Sequence, residues 1–139
     1  AAIGAKIGAP NRTVCLFVGD GGFQMNIQEL GTIMQSNVGV KIILLNNNYL
    51  GMVRQWQELF YQKRYSSTEL MSPDFNKIAD AYGIANRLVD KREYLDQAIS
   101  EMLQDDKPYL LVANVEEEGM VYPMTPAGDT VTNILTPEQ

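Results

Sequence analysis

Val14-Cys15-Leu16-Phe17-Val18-Gly19-Asp20-Gly21-Gly22, an amphipathic segment, and then Val40-Lys41-Ile42-Ile43-Leu44-Leu45-Asn46-Asn47-Asn48-Tyr49 form the stretch that decides the fold. Each apolar run ends abruptly in small or polar residues. The segment between them has helical spacing. Ile27, Leu30, Ile33 and Met34 recur at intervals that place them on one face, and that stripe reads as core. The pattern is a βαβ unit with a polar cluster at the carboxyl end of each strand. In open parallel sheets, ligands bind along that edge.

The chemistry of the two clusters is specific in kind. Asp20 supplies a hard carboxylate, the Asn46-Asn47-Asn48 run supplies amide oxygens, and Tyr49 offers a backbone carbonyl. Oxygen donors with little charge suit magnesium, which keeps water and substrate phosphate in its octahedron. Gly19, Gly21 and Gly22 leave room for a backbone to approach a ligand. Asn26-Ile27-Gln28-Glu29 reads as a capping box that opens a helix just after the glycine-rich turn, an arrangement that favours anions. Together these features describe a magnesium-diphosphate cradle. Taken singly, Gly-Asp-Gly is a common turn and Asn-Asn a common loop. Neither GxxxxGK[ST] nor a complete GxGxxG is present.

The rest of the chain continues the alternation. Ala1 to Gly8 is helical, and Pro10-Asn11 ends it. Thr13 to Gly19 is expected as a strand buried on both faces, with Cys15 a small buried hydrophobe. Met52, Val53, Trp56, Leu59 and Phe60 mark an amphipathic helix whose apolar stripe, by periodicity alone, is core. Tyr61 to Met71 has no period and reads as a surface or interface loop. Ser72-Pro73 is read as the cap and first turn of a helix closed by Gly83. Ile84 to Val89 is an edge strand, Asp90 and Glu93 a further capping box, Tyr94 to Leu103 a helix, and Tyr109 to Val115 a buried strand. The alternation implies an α/β fold: an open parallel sheet flanked by helices. Residues 1–115 are expected to form the domain and 116–139 a tail broken by Pro123, Pro126, Gly128 and Pro137 and mobile on its own.

Composition closes off several functions. Net charge is −6 and the chain has no histidine, so His triads and His metal sites are excluded within it. The acidic balance argues against nucleic acid, and no apolar run approaches a membrane span. One cysteine cannot form an internal disulfide. Asn11-Arg12-Thr13 matches a glycosylation pattern without further support.

Gly19-Asp20-Gly21, followed after a spacer by an apolar strand ending in Asn46-Asn47, resembles the thiamine-diphosphate motif of thiamine-dependent enzymes. Leu50-Gly51-Met52-Val53-Arg54-Gln55-Trp56-Gln57, with Leu59-Phe60-Tyr61 and Arg64-Tyr65-Ser66, is similar to the C-terminal part of the large catalytic subunit of acetolactate synthases. The resemblance implies the thiamine-diphosphate-binding fold and an N-terminally cut domain, since the Gly-rich stretch that precedes the first helix in that family is missing. It implies decarboxylation of pyruvate and transfer of the two-carbon unit to pyruvate or 2-ketobutyrate, in branched-chain amino acid synthesis. By the same resemblance, magnesium is held by Asp20, the side chain of Asn47 and the carbonyl of Tyr49, the last standing where some relatives have an acid. Gly19, Gly21, Gly22, Leu50, Gly51 and Met52 join them around the cofactor, and Met52, Val53 and Trp56 select the second keto acid. The activating glutamate is expected on another domain of a neighbouring subunit, so no catalytic residue lies in this chain and the piece alone is inactive. FAD is expected in the full-length enzyme but not on these residues. Other domains, a second catalytic subunit in a cytoplasmic homo-oligomer, and room for a small regulatory subunit are implied. Alternatives are a glyoxylate carboligase or pyruvate oxidase-like enzyme, or a non-catalytic α/β binding module.

Overall fold

The structure is a computed structural model that describes residues 1–137. Four parallel strands run in the order β1-β2-β4-β3: β1 Val14–Gly19, β2 Val40–Asn46, β3 Ala85–Val89 and β4 Tyr109–Asn114. The register pairs Val14 with Val40 and Lys41 with Tyr109. The carboxyl ends of β1, β2 and β4 therefore lie side by side, Gly19 beside Leu45 and Asn46 beside Asn114. The α/β parallel fold follows the sequence pattern.

Among the described residues there are six α-helices, α1 before β1 and the rest between strands: α1 Ala2–Gly8, α2 Asp20–Gln24, α3 Glu29–Ser36, α4 Gly51–Phe60, α5 Phe75–Ala81 and α6 Leu95–Met102. Residues Val40, Ile42 and Leu44 alternate onto one face of β2, where Phe23, Leu30, Ile33, Phe75 and Ala79 pack on them with Leu110 and Val112. Ile43, Tyr109 and Leu111 face the other way and are covered by Ala98 and Met102 of α6. The outward steps β1 to β2 to β3 place α2, α3 and α5 on one face, and the return from β3 to β4 places α6 on the opposite face. Both therefore wind with the same hand.

Two helices end as their sequences require. Gly83 takes the left-handed conformation at φ 63°, with its N–H donating to Asp80 O and that of Ile84 to Ala79 O. Asn37, at φ 46°, ends α3 in the same way, through Val38 N–H to Ile33 O.

Several local expectations are corrected. β1 is an edge strand, so it buries one face only: Cys15 is exposed and Phe17 is 69% exposed. The capping box at Asn26 does not form. Helix begins at once at Asp20 with Gly19 as its cap, and Asn26 Nδ2 donates instead to Gly22 O. Asp74, not Ser72, caps α5, accepting from Asn76 N and Lys77 N. Asp90 caps nothing, since a short 3-10 turn, Arg92–Tyr94, leads into α6.

The largest surprise is α4. Its apolar stripe is not core: Met52 and Val53 are about half exposed, while Arg54 and Gln55 are buried at 8% and 2%. Arg54 pairs with Glu58 at 3.3 Å and Glu118 at 2.8 Å and lies 4.6 Å from the Tyr65 ring centre. Gln55 pairs with the Val121 backbone through both amide atoms, at 3.0 and 2.8 Å. The residues after β4 thus dock onto the polar side of α4. The last two residues of the expected tail, Glu138 and Gln139, lie outside the described residues.

Candidate functional site

The carboxyl edge of the sheet opens into a cleft of about 600 Å³. β1 delivers Gly19 and, at its junction with α2, Asp20, Gly21 and Gly22. β2 delivers Leu45, Asn47 and Tyr49, and the start of α4 supplies Leu50, Gly51, Met52 and Val53. All the residues expected at the cofactor therefore line one cavity. Trp56 does not. It lines an adjoining hollow of about 670 Å³ with Gln57, Tyr61 and Arg64, and Met52 and Val53 form the wall common to both.

Asp20 is 1% exposed. Its Oδ1 accepts from Gly21 N–H at 3.0 Å and its Oδ2 from Ser72 Oγ–H at 3.1 Å. Each oxygen keeps a lone pair free. Asn47 Oδ1 accepts from Tyr49 N–H at 3.2 Å, a turn that bends the chain out of β2. Tyr49 bridges to Glu69 in antiparallel fashion, with the hydrogen bonds made by its neighbours: Leu50 N–H to Thr68 O and Leu70 N–H to Asn48 O. In such a pair the central residue's own groups point away from the partner strand. Tyr49 C=O takes no hydrogen bond among the described residues. Asp20, Asn47 and Tyr49, which carry these carboxylate, amide and carbonyl oxygens, thus line one cleft.

The glycines divide by role. A Cβ at Gly19 would meet nothing within 4 Å, so its position is open space on the cleft wall. A Cβ at Gly21 would sit 3.0 Å from Leu50 Cδ2 and 3.2 Å from Leu70 Cδ1, so a larger residue there would press on both leucines.

Charge decides what the cleft can hold. Asp20 and Glu116 line it, and no Lys or Arg does. Among the described residues a diphosphate meets no cationic side chain there, and a bound metal ion would offset the two like charges. Among the described residues, no three His, Cys, Asp or Glu side chains gather into a metal cluster. The available donor set is one carboxylate with neutral oxygens, suited to a cation that shares its shell with phosphate and water.

Sequence reasoning missed Ser72, read as a helix cap, and Val115, Glu116 and Gly119, which line the cleft beyond β4. The last three had a usable signal, because they follow a parallel strand at its carboxyl end. Asn46 Nδ2 donates to Asn114 Oδ1 at 3.1 Å across the sheet edge, while its own Oδ1 is buried and unpaired among the described residues.

Residues 1–113 match the family described as the thiamine pyrophosphate enzyme, C-terminal TPP binding domain. The large subunit of acetolactate synthase isozyme 2 from Escherichia coli (strain K12) is 45% identical over 136 residues, 97% of this chain and 25% of that protein. Acetolactate synthase from Arthrospira platensis is 45% identical over 130 residues, 92% of this chain and 22% of that protein. Among solved structures, the thiamine diphosphate-dependent 4-hydroxybenzoylformate decarboxylase of Rhodococcus jostii RHA1 matches with a TM-score of 0.76 at 29% identity, over 84% of this chain and 22% of that one. The chain spans about a quarter of the length of the curated relatives it matches.

Proposed function

The chain belongs to the family of C-terminal TPP-binding domains of thiamine pyrophosphate enzymes, and on that premise we propose that it is the cofactor-binding part of an acetolactate synthase large subunit. The whole enzyme would decarboxylate pyruvate and join the two-carbon unit to pyruvate or 2-ketobutyrate, on the path to branched-chain amino acids. The observation that carries this reading is the cleft itself: oxygen donors from two strand ends, two acids and no base. A diphosphate fits there only together with a cation.

In this reading Asp20, the Asn47 side chain and the Tyr49 carbonyl hold magnesium. Gly22 presents its backbone N–H to the diphosphate, Gly21, whose N–H is held by Asp20, keeps the backbone close to it, and Gly19 leaves space for it. Leu50, Gly51 and Met52 continue the cofactor contact, while Met52, Val53 and Trp56 border the reacting end and discriminate between keto acids. When bound, thiamine diphosphate supplies carbanion stabilisation next to a carbonyl, and the protein supplies position. The described residues place no titratable side chain other than Asp20, Tyr49 and Glu116 on the cleft. By the family resemblance, the proton-handling glutamate and the flavin site belong to other parts of the assembly, Glu116 is given no role, and this chain alone is expected not to turn over. Residues 1–115 are the proposed domain and 116–139 its tail, within a cytoplasmic homo-oligomer of multidomain subunits. Among the described residues no helix is long and apolar enough to cross a membrane.

Calorimetric titration of thiamine diphosphate, with and without magnesium, tests the cradle. Binding should need magnesium and should weaken at least tenfold in Asp20→Asn, because one charge-bearing ligand is lost. Magnesium-independent binding, or an unaffected variant, overturns the assignment. Assays of the full-length protein with pyruvate and with glyoxylate separate the acetolactate synthase reading from a glyoxylate carboligase.

A further inference from the structure

One segment, residues 68–72, touches both halves of the candidate donor set. Thr68 O accepts from Leu50 N–H at 2.7 Å, and Leu70 N–H donates to Asn48 O at 2.8 Å, which fixes the turn carrying Asn47 and Tyr49. The Leu70 side chain packs beside Gly21. Ser72 Oγ then reaches Asp20 Oδ2 at 3.1 Å.

Ser72 is not occupied elsewhere. Asp74 caps α5, and Pro73, the next residue, has no N–H. Asp20 is a buried carboxylate with no Lys or Arg partner among its hydrogen bonds. Gly21 N–H holds one of its oxygens and Ser72 the other, so the two donors fix the plane of the carboxylate. A neutral hydroxyl orients the group and brings no positive charge beside it. An ammonium or guanidinium in the same place would compete with a metal ion.

We propose that Ser72 is a positioning residue: it aims the Asp20 carboxylate at the cation that accompanies the diphosphate, and the 68–72 strap sets its spacing to the Asn47–Tyr49 donors. The inference rests on the magnesium reading of Asp20 given above. Hydrogen-bond partners of metal ligands typically contribute a 10- to 100-fold effect on metal affinity.

The test titrates magnesium into the full chain at saturating thiamine diphosphate and reads the magnesium Kd by calorimetry, beside the thermal midpoint in metal-free buffer. Ser72→Ala should weaken magnesium about tenfold. Ser72→Thr, which keeps the hydroxyl, should lie near the parent. Ser72→Cys, similar in size but a weak donor, should behave like Ser72→Ala. A merely structural role would move the metal-free midpoint and not this pattern. The Cys and Thr variants keep the test decisive if Ser72→Ala is poorly folded. Magnesium affinity in Ser72→Ala and Ser72→Cys within twofold of the parent overturns the inference, even if Asp20→Asn abolishes magnesium dependence and so upholds the cradle. If the parent shows no magnesium-dependent binding, or Asp20→Asn retains it, the cradle reading falls and this inference with it.

Discussion

Gly39→Ala is the sharpest prediction for the fold. Gly39 lies just before β2, between Val38 and Val40, both buried. A Cβ there would stand 1.8 Å from Asp106 O and 2.8 Å from Asp106 C. Ordinary carbon–oxygen contacts lie at about 3.3–3.6 Å, so the 105–107 turn would have to retreat by roughly 1.5 Å. Two buried lysines oppose that movement. Lys6 Nζ donates to Asp106 Oδ1 at 2.6 Å, and Lys41 Nζ donates to Lys107 O at 2.5 Å, each cation being about 5% exposed or less. Overpacking costs about 1–3 kcal/mol, and one lost hydrogen bond to a charged group about 1.5–3. The expected penalty is about 3–5 kcal/mol, a large share of a domain's typical 5–15 or so. Urea unfolding should show a lower midpoint with an unchanged slope, and the thermal midpoint should fall by roughly 10 °C or more. Gly4→Ala is the control: its Cβ meets nothing within 4 Å inside α1, so it should stabilise by about 0.5–1 kcal/mol. A Gly39→Ala protein within about 0.5 kcal/mol of the parent would show that the turn moves freely and that the lysine clamps hold nothing.

Two further outcomes are expected. Gly19→Ala should leave stability within about 1 kcal/mol, since its φ of −77° and ψ of 161° suit alanine and its Cβ faces open space. In the cradle reading the same methyl crowds the cofactor, so thiamine diphosphate should bind roughly tenfold more weakly; unchanged affinity would remove Gly19 from the site. Stability should also fall in acid. Glu101 is held below its usual range by the Tyr109 hydroxyl and then Arg87, Asp105 by the backbone N–H of Lys107, and Asp74 by the backbone N–H of Lys77. Depressed folded values mean stability that is present above the ordinary 3.8–4.5 and lost as pH falls through the lower folded values. Thermal midpoints measured from pH 6 downward should drop below about pH 4.5, less steeply in Glu101→Gln; an identical profile in that variant would contradict the assignment.

Much of this molecule was legible in the chain because two apolar runs ended at chemically distinctive residues. Parallel strands place such ends together, so Asp20 and Asn47 could be brought to one edge without knowing any contact. What escaped depended on partners distant in sequence. Cys15 and Phe17 look like core until β1 turns out to lie at an edge. Ser72-Pro73 looks like a cap until Asp74 takes that role and frees the hydroxyl for Asp20. The capping boxes at Asn26 and Asp90 failed because the helices there start at different residues, and local signals compete without a way to rank them. In α4 periodicity found the helix and assigned its faces the wrong way round. Nothing in a periodic pattern shows that Arg54 and Gln55 have polar partners waiting at Glu118 and Val121.

That reversal changes how α4 can tolerate variation. Its attachment to the rest of the molecule runs through Arg54 and Gln55, and the residues bordering the two hollows, Met52 and Val53, contribute little to holding it in place. Where a helix lines a cavity with the same apolar face that packs it onto the core, a change that alters the cavity also injures the fold. Here the two duties fall on different residues. Drift at positions 52 and 53 can reshape the walls of the cavity while the scaffold stays put. In the cradle reading, ligand preference can then change at little risk to folding.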